Sequence, residues 1–201
     1  MSWIRTIPYE KAEGRLKSIY DRIVGRNGYI DNILVLHSLR PHTLQGHMKL
    51  YKGVLHHSGN TLDKSLLETI GVYVSMLNRC AYCVEHHFNG LRRLLDDDSR
   101  AYAIHDALGA EEFDIVFSAR EKAILLYVKV LTLTPRDTTE EHILALKSSG
   151  LTDGQILEVN QVSAYFAYAN RTVLGLGCST EGDILGLSPG DEDEEENWHH
   201  S

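Results

Sequence analysis

Basic residues are in short supply: 20 Lys and Arg against 28 Asp and Glu give a formal net charge of −8. Six of those charges sit in one run, Asp191, Glu192, Asp193, Glu194, Glu195 and Glu196, which leaves the rest of the chain near −2. With no cationic excess to neutralise phosphates, no nucleic-acid partner is expected. No run of about 18 apolar residues occurs, so no membrane span or membrane partner is expected. The opening Met1 to Pro8 is too short and too polar for the apolar core of a signal peptide. Three cysteines in 201 residues are too few for a secreted disulfide framework. These absences lead to an expectation of a cytoplasmic protein, where closely spaced cysteines more often serve catalysis or metal binding than structure. Four prolines and sixteen glycines exclude collagen-like and low-complexity architectures, and 43% hydrophobic with 24% charged residues is the balance of a globular chain with a core.

What is present reads as helix after helix. Residues 9–25 place Ile19, Tyr20, Ile23 and Val24 on one side, and Gly25 and Gly28 break the run. A second segment covers about 42–57 and ends in His56-His57-Ser58-Gly59-Asn60. A third opens at Thr61-Leu62-Asp63, with Asp63 as N-cap, and carries Leu66, Leu67, Ile70, Val74 and Leu77 at spacings of three and four. Capping boxes are expected at Ser118–Glu121, Thr138–Glu141 and Thr152–Gln155, with Ser149-Gly150 stopping the helix between the last two. Strand-type alternation is scarcely visible, so the fold class expected is all-α with seven or more helices. A weak internal repeat at an offset of 90 aligns Asp63, Leu66, Leu67, Glu68 and Val72 with Asp153, Ile156, Leu157, Glu158 and Val162. In the second copy Asn170, Val173 and Gly177 stand where the first has Cys80, Cys83 and His87. The stretch from Ser188 reads as a solvated, disordered acidic tail.

One segment concentrates chemistry: Glu68, then Cys80-Ala-Tyr82-Cys83-Val-Glu-His86-His87. On a helix Cys80, Cys83 and His87 fall at i, i+3 and i+7, on one face within two turns. Two sulfurs so placed can cycle between dithiol and disulfide, and an imidazole one turn beyond Cys83 can take its proton, since the thiolate is the nucleophile. Glu68 would lie about 18 Å from Cys80 along unbroken helix. It reaches the thiols only if the chain turns near Leu77-Asn78-Arg79 or if it comes from another subunit. A turn there would put Cys80 at a new helix N-terminus, whose dipole favours a thiolate.

The pattern E-x11-C-x2-C-x3-H in an all-helical chain resembles the alkylhydroperoxidase D-like (AhpD-like) branch of the carboxymuconolactone decarboxylase superfamily, and its peroxidase-related members in particular. Gln155 to Asn160 and Tyr165 to Arg171 add to the likeness, which covers roughly residues 30–178. The resemblance implies an AhpD-like helical domain over 1–187 and the following roles: Cys80 and Cys83 as redox cysteines, Glu68 and His87 as a proton relay. It implies a small hydroperoxide as substrate, an external thiol as reductant, and a homo-oligomer of two, three or six chains. No cofactor is expected, because neither a phosphate-binding glycine loop nor a haem attachment motif occurs. The chain departs from the antioxidant members at Tyr82, where they carry a second relay histidine; a phenol, with pKa near about 10, donates a hydrogen bond but does not shuttle protons at neutral pH.

Other readings of the same residues stay open at this level. The cysteines could be buried small hydrophobes, or Cys80, Cys83, His86 and His87 could hold zinc. A carboxymuconolactone decarboxylase-type lyase and a non-catalytic stress protein are the alternative functions, the first opposed by the cysteine pair. Cys178 has no partner nearby in sequence and reads as incidental, His56 and His57 as a helix end, and Tyr165, Phe166 and Tyr168 as core.

Overall fold

The computed structural model describes residues 2–25 and 29–187, and the acidic tail expected from Ser188 lies outside them. Among the described residues nine α-helices and no strand are found. They are α1 (Gly14–Ile23), α2 (Asn32–Leu36), α3 (Pro41–Leu55), α4 (Lys64–Leu77), α5 (Ala81–Leu95), α6 (Asp98–Ala110), α7 (Ala119–Leu133), α8 (Glu140–Ser148) and α9 (Asp153–Leu176).

The central element is α4. Leu67, Ile70, Val72, Tyr73 and Val74 are all buried, so the helix is apolar around its circumference and must be covered on every side. It packs against α5, α6, α7 and α9. A second, smaller core joins Leu16, Ile19, Tyr20 and Ile23 of α1 to Leu44 and Met48 of α3. Glu158 of α9 ties the lead-in of α4 to that long helix, its carboxylate accepting from the Thr61 N–H at 3.0 Å and the Leu62 N–H at 2.9 Å.

Local signals set most helix starts, with some shifts from expectation. Ser118 and Thr152 form the capping boxes read from sequence. The third box is moved by one residue: Thr139 is the N-cap and His142, not Glu141, answers from N3. Asp63 is the N-cap of α4 without a side-chain capping bond. The stretch 9–25 is not one helix, because Tyr9–Lys11 is a separate 3-10 turn and α1 begins only at Gly14, whose φ of +54° suits glycine. The proposed repeat slips by one residue at the helix starts, where Asp63 is the N-cap of α4 but Asp153 is already inside α9, and its surroundings differ too: Leu67 is 0% exposed and Leu157 59%. Helix α9 also runs unbroken to Leu176, past the point where its counterpart α4 turns.

That turn is the decisive local feature. Asn78 keeps helical dihedrals, and Arg79 enters the left-handed region at φ +56°. The Cys80 N–H then reaches back to the Ser75 carbonyl at 2.8 Å and the Arg79 N–H to that of Met76 at 2.9 Å, a Schellman closure. The chain reverses, and α5 folds back along α4. An exposed arginine occupies a place where glycine is the unstrained choice, so Arg79→Gly is expected to raise stability by about 0.5–1 kcal/mol. Thermal melting should show this as a rise of about 2 °C.

Candidate active site

Cys80 is the N-cap of α5 and Cys83 lies in its first turn. Both are buried, with sulfurs 3.1 Å apart in the dithiol form. The pair shares its protons unequally. Cys80 is drawn below the ordinary thiol range by the S–H of Cys83 and further by the Cys83 backbone N–H and the Asn170 amide, against the opposing effect of burial. Cys83 is pushed well above that range by the neighbouring Cys80 sulfur and by burial. Both effects favour Cys80 as the bearer of the pair's shared negative charge, where the helix N-terminus offers N–H groups.

Reversal of the chain brings Glu68 beside His87. The Glu68 carboxylate accepts a hydrogen bond of 2.7 Å from Nδ1 of His87, with side-chain exposures of 5% and 15%. This fixes the imidazole tautomer that leaves Nε2 as the proton acceptor. The Phe166 ring stands edge-on to His87 at a centroid distance of 4.5 Å, and Tyr51 lies on another side at 6.2 Å. Phe166 fits there because position 71 has no side chain: a Cβ on Gly71 would lie 2.2 Å from Phe166 Cζ. Tyr51 also stacks on Tyr165 at 5.6 Å. Burial holds both phenols protonated, reinforced by the field of Glu68 on each and of Cys83 on Tyr165.

The remaining residues singled out from sequence go elsewhere. His86 turns away from the sulfurs, its Nε2 lying 3.1 Å from Asp183. Tyr82 donates to the same carboxylate oxygen at 2.6 Å and accepts from the Ile33 N–H at 3.1 Å. His86 and His87 are committed to two different carboxylates, and no metal-ligating set contains Cys80 or Cys83 among the described residues. Cys178 has neighbours after all, packing against the cluster of Cys80, Tyr82, Cys83 and Val173, where burial raises its thiol to about 12. His56 caps the end of α3 as expected, buried and edge-on to Tyr51 at 4.9 Å. Tyr165 and Phe166 are core, whereas Tyr168 is 40% exposed.

Several contributors were not anticipated. Asn170 is fully buried, donates to Ser75 Oγ at 3.1 Å and accepts from the Asn78 amide at 2.9 Å, so it braces the turn and addresses Cys80. Its signal was a buried-type amide in the apolar stripe of α9, which the repeat alignment treated as scaffold. Tyr51 and Asp183 carried no local pattern that could have marked them. His47, packed against His37, Tyr165 and Tyr168, is forced down to about 3 by burial and stays neutral.

The comparisons with known proteins agree with this architecture. Residues 41–109, which include Glu68, both cysteines and His87, match the carboxymuconolactone decarboxylase family. Over 122 residues, 59% of this chain and 78% of the relative, it is 25% identical to the uncharacterized protein YdfG of Bacillus subtilis. The fold is that of the alkylhydroperoxidase AhpD core in an uncharacterized peroxidase-related protein from Ralstonia eutropha, with a TM-score of 0.77 at 20% identity, covering 92% of this chain and 96% of that one. It is also that of the debrominase Bmp8, solved as a cysteine-to-alanine variant with 2,3,4-tribromopyrrole, with a TM-score of 0.72 at 15% identity over 90% and 95% of the two chains.

Two measurements test this geometry. Iodoacetamide titrated against the native dithiol from pH 5 to 10 should modify Cys80 first, with a midpoint below the free-thiol value of about 8.5, because a lowered pKa keeps the thiolate present at lower pH. Cys178 should stay protected across that range, and peptide mapping separates the three sites. Gly71→Ala should cost about 1–3 kcal/mol in denaturant unfolding by displacing Phe166 from His87.

Proposed function

We propose that the protein is a dithiol oxidoreductase that reduces hydroperoxides at Cys80 and Cys83. The observation that carries this reading is the buried Glu68–His87 contact of 2.7 Å, set one helical turn beyond a cysteine pair whose sulfurs are 3.1 Å apart. A base with a fixed tautomer next to two poised sulfurs fits proton-coupled thiol chemistry better than a structural role.

In the proposed cycle the pair carries one negative charge, which passes from Cys80 to Cys83 as the shared proton moves the other way. The Cys83 thiolate attacks the outer peroxide oxygen and the O–O bond breaks, giving a Cys83 sulfenic acid and an alkoxide that takes a proton. His87, oriented by Glu68, removes the proton from Cys80. The Cys80 thiolate then attacks the sulfenic sulfur, forms the disulfide and expels hydroxide, which leaves as water with the proton from His87. Two thiols and one hydroperoxide become one disulfide, one alcohol and one water. An external dithiol restores the pair by exchange.

Stoichiometric peroxide should remove two of the three thiols, lower the intact mass by two hydrogens and place the bridge between Cys80 and Cys83. Dimedone should trap a sulfenic acid on Cys83 in Cys80→Ser, and none on Cys80 in Cys83→Ser. Glu68→Gln, which keeps the hydrogen-bond shape and removes the charge, should slow thiol oxidation at least about tenfold, and His87→Ala comparably. The double variant should lose much less than the product of the two, since the residues act as a unit. Rates in Glu68→Gln equal to the parent from pH 6 to 9, or consumption of Cys178 in place of the pair, would overturn the assignment.

A further inference from the structure

A cavity of about 230 Å³ opens where the starts of α4 and α7 meet α6, at the end of α4 opposite the Arg79 turn. Leu66 and the buried Ile104 and Phe117 give it an apolar wall. Two guanidinium groups, those of Arg100 and Arg120, also line it. Arg100 donates from Nη2 to the Val116 carbonyl at 2.8 Å, and Arg120 from Nη2 to Gln155 Oε1 at 2.9 Å. Neither pairs with a carboxylate among the described residues. The Nε of Arg120 is buried and has no acceptor among them.

A buried N–H of a charged group that finds no acceptor is costly, and a guanidinium fork matches the geometry of a carboxylate. Because Arg120 lines the cavity, an anion lodged there supplies the missing acceptor. Two carboxylates in the same lining set its charge. Glu121 closes the capping box, accepting from the Ser118 N–H at 2.8 Å and hydroxyl at 2.7 Å, so its charge answers the N-terminus of α7. Asp63 makes no capping bond and opposes the two guanidinium charges, which leaves one of them uncompensated. One surplus positive charge suits a monoanion better than a phosphate dianion. The volume lies below the range of about 300–1,000 Å³ that takes drug-sized ligands, and the apolar wall calls for a compact hydrocarbon body.

We propose that this cavity binds a small apolar monocarboxylate, its carboxylate held by Arg120 and Arg100 and its body against Ile104 and Phe117. The site lies roughly 20 Å along α4 from Cys80, and its occupancy does not depend on the redox reading.

The probe is sodium benzoate, titrated into the full chain at pH 7 and followed by calorimetry. It should occupy one site per chain with a Kd of about 1 mM or tighter. Benzamide, which keeps the shape and lacks the charge, and inorganic phosphate should each bind at least about tenfold more weakly, since charge-assisted hydrogen bonds are about twice as strong as neutral ones. Arg120→Gln should weaken benzoate at least about tenfold, because it removes a partly buried partner of the charge. Arg100→Gln should weaken it about threefold, as befits an exposed cation. Circular dichroism checks that the variants are folded. If Arg120→Gln fails to fold, Arg120→Lys decides, since it keeps the charge, loses the fork and should still weaken binding. Amide NMR shifts in the parent should be largest at Ser65, Ser118 and Arg120. A Kd weaker than about 1 mM, smaller discrimination against benzamide or phosphate, unchanged affinity in the folded Arg120 variant, or shifts centred on Cys83 and His87 would each overturn the proposal. None of these outcomes bears on peroxide reduction, which the thiol measurements test by themselves.

Discussion

The left-handed step at Arg79 is the constraint from which the rest of the site follows. Closure of Cys80 N–H on Ser75 and Arg79 N–H on Met76 ends α4 and starts α5 within three residues. The two arms then run alongside each other. Glu68 is nine residues back from the end of α4 and His87 seven past Cys80, so at 1.5 Å per residue both stand roughly 10–14 Å from the turn. Eleven residues between Glu68 and Cys80 therefore describe a helix hairpin in which carboxylate and imidazole meet. The same reversal places Cys80 at the N-terminus of α5, so one backbone device sets both the Glu68–His87 contact and the surroundings of the thiols.

Burial gives that meeting its energetic weight. Glu68 is 4% exposed, in a helix whose buried residues are mostly apolar, and among the described residues its carboxylate accepts from His87. A buried carboxylate that loses its partner is far more costly than an exposed one. Phe166 and Tyr51 close the surroundings of His87, and Gly71 provides the room for the Phe166 ring. In a water-poor setting the pair's orientation is held by packing as well as by the hydrogen bond.

Helical periodicity, two of the three capping boxes and the spacing of Cys80, Cys83 and His87 were legible in the sequence because each depends on neighbours within about two turns. The turn near Asn78 was legible too, though for a different reason than the structure gives: Asn78 stays helical and bonds Asn170, while Arg79 takes the unusual dihedral. What could not be read depends on contacts across the whole chain. Asn170 reaches the turn over 92 residues, and Asp183 reaches Tyr82 over 101. Cys178 looked isolated for the same reason, since Cys80, Tyr82 and Cys83 are about a hundred positions away and no periodic pattern joins them.

Tyr82 shows how such distant contacts change the meaning of a local motif. Read beside Cys83, it stands where a second proton-carrying side chain would be placed, and the question was whether a phenol could serve. The structure answers through Asp183. The hydroxyl donates to that carboxylate and accepts from the Ile33 N–H, so its proton and a lone pair are both engaged away from the sulfurs. Burial, then the fields of Asp183 and Asp31, raise the phenol further from ionisation. Tyr82 therefore acts as a clamp joining α5, the start of α2 and the segment after α9. In the proposed cycle, proton traffic at the cysteines falls to the Glu68–His87 pair. His86, one helical turn beyond Cys83, pairs instead with Asp183 and ties α5 to the segment after α9.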